Sequence, residues 1–423
     1  MEPRQRTFWQ AFGPGVLFAG AAVGVSHLVQ STRAGASFGF ALAGVVVVAN
    51  LAKYPAFRFG PEYAAATGTS LLEGYRRRGR WALALYAALT VGTMFTVQAA
   101  VTIVTAGLAK VLFGLDASAG AIAAALTAVC AGLLAAGRYR WLDRIGKWVV
   151  AVLTVSTVAA TALALGRIDW GAVPFWPDRR LVEPASLAFV AALIGWMPSA
   201  IDVAVWQSLW TLARERDTGH RPTRGESLLD FHIGYIGTAV LALCFVTLGA
   251  AVMYGRGVAF ASTAGGFAAQ VIALYTDMLG EWAEPIIGAA AFSVMFSTTL
   301  TVVDGFPRAL SVLVERFRGP EAPGSAGEGR DARGVYWAAL AVLGVGSVVI
   351  IYRFLADLKA LVDLATILSF LTAPVLAWLN HRCITGAEVP EEARPSRALA
   401  AASWAGIAFL AGAALLYLYV RFA

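Results

Sequence analysis

Two long apolar stretches of this chain are each interrupted near the middle by small residues. The first runs Leu17 to Thr32 and breaks at Val23-Gly24-Val25-Ser26. The second runs Ala188 to Leu209 and breaks at Trp196-Met197-Pro198-Ser199, where a proline is added. A helix that unwinds inside a bilayer leaves backbone N–H and C=O groups unpaired, and lipid supplies no partner. Such breaks persist only where they line a cavity in the protein or a bound solute. Two discontinuous helices in corresponding halves of a chain are the best sequence pointer to a secondary transporter's substrate site.

The background is apolar throughout. Of 423 residues, 59% are hydrophobic and 14% charged, against about a quarter charged in a soluble domain; the mean hydropathy is +0.69. The chain reads as an all-α polytopic membrane protein. Its charged start, Met1 to Arg6, runs into an apolar segment without a small-residue cleavage site, so the first span is expected to be retained. Cys130, Cys244 and Cys383 are scattered, with neither disulfide nor zinc spacing, and no cofactor is expected.

Runs of about 20 residues, enough to cross a bilayer, fall at 12–32, 38–57, 82–113, 117–136, 146–166, 185–212, 231–254, 284–303, 335–353, 360–380 and 397–420. Basic residues orient these eleven spans. With the N-terminus inside, the inner connections hold Arg76, Arg77, Arg78 and Arg80; Arg138, Arg140, Arg144 and Lys147; Arg214, Arg216, Arg221 and Arg224; Arg308, Arg316, Arg318, Arg330 and Arg333; and Arg382, Arg394 and Arg397. The net charge of +7 thus reads as topology, not nucleic-acid binding. The expectation is a multi-pass protein of the inner (plasma) membrane, N-terminus cytoplasmic and C-terminus outside. Gly319 to Gly334, rich in Gly, Pro and charge, reads as a flexible cytoplasmic linker.

The broken spans are the first and the sixth. The whole chain, 1–423, therefore reads as one transporter domain: five spans over 12–166, an inverted repeat of five over 185–380, and an extra eleventh over 397–420. After each break a new half-helix offers free N–H groups with partial positive charge. Ser26 and Ser199 are placed to cap those half-helices, and Ser199-Ala-Ile-Asp202 has the spacing of a capping box. Substrate-binding candidates are Gly24, Ser26, His27, Gln30, Trp196, Met197, Ser199 and Asp202. Candidates for coupling or ion binding are His27, Asp202, Gln98, Thr298 and Thr299, the last two in an apolar eighth span.

Each candidate has a plain alternative. A carboxylate inside a span is costly and by default functional, yet Asp202 fits a cap. His27 can titrate near neutrality, or be hydrogen-bonded in the bundle, Asp202 being one available partner. Met197 is a soft metal ligand or a space-filler. The threonines hold an ion or water, or bond to backbone one turn back. Asp230 and Asp304 read as interfacial.

At these residues the chain resembles the Nramp family of divalent-metal transporters. Gly13-Pro14-Gly15 with Ala34-Gly35-Ala36-Ser37-Phe38-Gly39, Asn50, Ala66-Thr67-Gly68, Gly137-Arg138-Tyr139-Arg140-Trp141-Leu142-Asp143, and Leu193-Ile194-Gly195 before Met197-Pro198 carry the likeness. It covers spans one to six well and the remainder loosely. The resemblance implies the leucine-transporter fold, alternating access, proton coupling and a metal cation as substrate; sodium is the other coupling ion, offered by the threonines of the eighth span. It also shows departures. Where the family has Asp-Pro-Gly-Asn at the first break this chain has Gly24-Val25-Ser26-His27, and Ser199 stands for the family's histidine after Met-Pro. Gln98 and Val101 stand where the family has acidic residues in the third span. Hard divalent cations want oxygen ligands, normally with a carboxylate. His27 and Met197 remain as ligands for a softer metal, and a small organic solute such as an amino acid is the alternative substrate.

Other classes fare worse. There is no His-Glu-x-x-His, no histidine cluster and no paired intramembrane aspartates to suggest an enzyme. A channel has no need of two matched broken helices.

Overall fold

A computed structural model describes residues 10–137, 139–258, 260–321, 330–354 and 357–422. The charged start at Met1–Arg6, residues 322–329 of the Gly319–Gly334 linker, Arg138, and the side chains of Arg140, Arg144 and Lys147 lie outside the described residues.

Every regular element among the described residues is helical. The first apolar stretch forms α1 (Pro14–Ala22), a π-helical turn (Ser26–Ser31) and α2 (Thr32–Phe38). α1 and the segment after it are bent by 46° at the break. Pro14 starts α1 where its missing N–H costs nothing. Then come α3 (Ala43–Thr67), α4 (Leu71–Arg78), α5 (Arg80–Leu112), α6 (Ala119–Ala135) and α7 (Tyr139–Leu165). The second broken stretch gives α8 (Pro184–Gly195) and α9 (Val203–Thr218), separated by the non-α segment 196–202. The remainder is α10 (Arg224–Val252), α11 (Ala264–Leu279), α12 (Glu284–Arg318), α13 (Arg330–Arg353), α14 (Leu358–Ile384) and α15 (Arg397–Phe422).

Six of these helices are long and apolar enough to cross a membrane, or seven if the bent first pair counts as one span. α6, part of α7 and α8 are shorter apolar helices. α4 and α11 were expected as loops. α4 is too short for a hydropathy window, although Ser70 caps it and accepts from the N–H of Glu73. α11 buries Phe267, Val271 and Tyr275 on one side only, so its average is diluted. Some helices run past the expected apolar limits: α12 extends to Arg318 and α3 to Thr67.

Small residues set the close contacts, as expected where packing rather than hydrophobicity joins helices. A Cβ added at Gly195 would strike the carbonyl of Thr366 on α14, and one at Gly60 the carbonyl of Ala204 on α9. α1 is held at its start by Asp230 of α10, which accepts from the N–H groups of Gly13 at 3.0 Å and Gly15 at 2.6 Å. Asp230 is thus a buried anchor for the first helix's free N–H groups. Asp304 lies within α12, well before its end at Arg318, and is bound by Arg308 and Tyr336.

Candidate functional site

The two breaks face one another. Between them lies a cavity of about 30 Å³, room for one or two water-sized bodies. Ala22, Val25 and Ser26 line it from the first break, and Trp196, Ser199 and Asp202 from the second. Thr298 and Phe306 of α12, Val97 and Val101 of α5, and Trp206 of α9 complete the wall.

Of the residues singled out in the sequence, Ser26, Trp196, Ser199, Asp202 and Thr298 meet at this cavity. Gly24 lies just behind it, packed on Thr298: a Cβ there would come within 2.9 Å of the threonine methyl. Thr298 Oγ1 donates to the Gly20 carbonyl at 2.7 Å and thereby ties α12 to α1. Met197 is fully buried outside the lining, with Ser31 Oγ 4.0 Å from its sulfur, and the Met197–Pro198 bond is cis. Gln30 points toward α14, where its Nε2 donates to Thr366 Oγ1 at 3.2 Å. Gln98 donates to Thr102 Oγ1 at 2.7 Å, and Thr299 pairs with Thr105 at 2.7 Å, both away from the cavity.

His27 turns its ring to α10 and not to Asp202. Its two nitrogens lie 2.9 Å from the carbonyl of Thr238 and 2.9 Å from that of Ala22, with Ser26 Oγ at 2.7 Å. Both expected caps are corrected. Ser26 Oγ donates back to the Ala22 carbonyl and caps nothing. The Ser199–Asp202 box does not form, because the non-α segment runs on to residue 202 and puts Asp202 itself at the N-cap position of α9, without a side-chain cap bond. The carboxylate is thereby released toward the cavity: Asp202 is 4% exposed and its Oδ2 has no hydrogen-bond partner. Trp206 Nε1 is likewise buried and unpartnered. The cavity wall thus includes residues bearing one open acceptor and one open donor.

Sequence reasoning missed Lys53. It lies on α3, fully buried, and its Nζ donates to the carbonyls of Gly195 at 2.7 Å and Ser199 at 3.1 Å, on either side of the second break. Its charge and that of Asp202 act on each other. The signal was present: a lone lysine inside the apolar run Val45 to Phe57. Among the described residues no group of three His, Cys, Asp or Glu is arranged to hold a metal ion.

Two polar networks lie outside this cavity lining. Beyond Gln30, Arg33 pairs with Asp363 at 2.6 Å and stacks on Phe189. In the other, Glu73 accepts from Arg76 and Arg77, and Glu321 accepts from the N–H and hydroxyl of Ser70.

The profile of the family described as natural resistance-associated macrophage protein-like (Nramp) matches residues 15–420. The chain belongs to the Nramp family. An uncharacterized protein of Pasteurella multocida is 35% identical over 375 residues, 88% of this chain and 84% of that protein. A mutant of the Eremococcus coleocola manganese transporter superposes with a TM-score of 0.71 at 16% identity, covering 98% of this chain and 87% of that one. MhsT in complex with L-phenylalanine superposes with a TM-score of 0.64 at 15% identity, covering 97% and 98%. The Nramp chain therefore has the leucine-transporter fold shared by those structures, and its family's activity is transport, not catalysis.

Proposed function

We propose that this protein is a secondary active transporter that moves a small solute by alternating access through the cavity between the two breaks. The observation that carries this reading is the open Asp202 carboxylate in a small cavity walled by both non-helical segments. Burying a carboxylate with one oxygen left without a hydrogen-bond donor carries a cost that a guest in the cavity would relieve. Family membership and fold support the mechanism, with eleven spans, an inverted repeat over 12–166 and 185–380, and the N-terminus in the cytoplasm of an inner-membrane protein. The basic connections support that orientation.

A metal cation is the family-level substrate, in line with the manganese transporter of like fold. A cavity of about 30 Å³ suits a guest of ionic size. Coupling to protons or sodium would draw on His27, Asp202, Gln98, Thr298 or Thr299. A second substrate reading, a small organic solute, is favoured by specific observations: the open donor of Trp206 and acceptor of Asp202, the lysine beside them, and the glycine at the position of the family's aspartate. An amino acid would require the cavity to widen.

The test is uptake into proteoliposomes. Under either reading Asp202→Asn lowers transport at least about tenfold, the loss of one charge-assisted contact, while the protein stays folded. Unchanged uptake by this variant would remove the site. Saturable manganese flux selects the metal reading, and its absence alongside accumulation of an organic solute selects the other.

A further inference from the structure

The second break presents two carbonyls, of Gly195 and Ser199, that no helical N–H covers from the far side of the gap. Backbone oxygens freed by an interrupted helix, with a carboxylate nearby, make a ready cation position. Here that position is filled from within the chain. Lys53 reaches it from α3 with its ammonium group fully buried, 2.7 Å and 3.1 Å from the two oxygens. Asp202, three residues past Ser199, supplies the only negative charge among the cavity-lining residues.

We propose that Lys53 is the resident cation of the second break. As a tethered group it occupies the place that a free monovalent cation would take between the Gly195 and Ser199 carbonyls, and it offsets the charge of Asp202, so that no sodium ion binds there. The inference rests on the break being the transport site only for its bearing on coupling; the occupancy itself is a property of the resting protein. Three consequences are built into the geometry. The break is held together without added salt. The cavity carries no net charge when both groups are ionised, and that disfavours a doubly charged guest. Removing the ammonium leaves the two oxygens without their donor and Asp202 without its counter-charge, a site ready for an outside cation.

The experiment measures the unfolding midpoint of the purified full chain in sodium chloride, methylammonium chloride and choline chloride at equal ionic strength. The native protein is expected to show the same midpoint in all three. Lys53→Ala is expected to unfold earlier in choline and to recover roughly 2–4 °C in saturating sodium or methylammonium, the shift that ligand binding to the folded state produces. Should Lys53→Ala not fold, Lys53→Met keeps the bulk of the stem and removes both the donors and the charge. It is expected to gain the same cation dependence, and Lys53→Met with Asp202→Asn to lose it. A native protein stabilised by sodium over choline would overturn the proposal. So would a folded Lys53→Ala or Lys53→Met indifferent to every cation. Because the readout needs no transport, it stands apart from the uptake test of Asp202.

Discussion

Gly24 shows why an aspartate cannot simply be restored at the first break. Thr298 fills the space that a longer side chain would need, and its hydroxyl is committed to Gly20. Gly24→Asp alone should therefore destabilise by about 1–3 kcal/mol through overpacking. Adding Thr298→Ala should recover most of that loss, as measured by thermal unfolding; equal midpoints for the single and double variants would refute this packing account. The neighbouring histidine teaches a related lesson. Its place at the break was legible in the sequence, its orientation was not. Which way a ring points depends on carbonyls such as that of Thr238, 211 positions away, and no local pattern reports them.

At the scale of elements, both interruptions were legible because glycine, serine and proline grouped inside an apolar run seldom leave a helix intact. Their lengths were not. The second runs from Trp196 to Asp202, past the serine that looked like its end, because the segment is satisfied by Lys53 and by Trp196 Nε1 donating to Ser369 at 2.8 Å rather than by a cap of its own. Tertiary partners replaced a local one. The end of α8 also depends on Gly195 lying flat against α14. Gly195→Val should push these helices apart, lowering stability by about 1–3 kcal/mol and reducing uptake. A variant with a native unfolding midpoint would contradict the close contact.

At the scale of the molecule, the membrane class was legible in composition alone, and large apolar side chains on outer faces, such as Leu51, Val155, Ile236, Val345 and Leu415, fit a lipid-facing surface. The long-range members of the two polar networks, Arg33 with Asp363 and Ser70 with Glu321, were not legible, since they join residues far apart in the chain. One of them predicts a pH response. Burial works against the Glu73 carboxylate, but hydrogen bonds from Arg76 and the backbone of Glu321 hold it below its usual value of 4.5. Its contribution is therefore present above pH 4.5 and lost as pH falls through the lowered value. Burial pushes Glu321 the other way, so its contribution is fullest below pH 4.5 and declines as pH rises. Thermal unfolding across pH should show Glu73→Gln costing most at pH 7 and Glu321→Gln costing most in acid. Parallel profiles would break the assignment.

The two halves of the second broken stretch rest on different neighbours: α8 on α14 through Gly195, α9 on α3 through Gly60. Any sliding of α14 past α3 must be felt at the gap between them, much as the deck of a bridge reports when its two piers shift. Lys53, rooted in one pier and gripping the carbonyl edge of the other half, would act as the tie-rod across that joint.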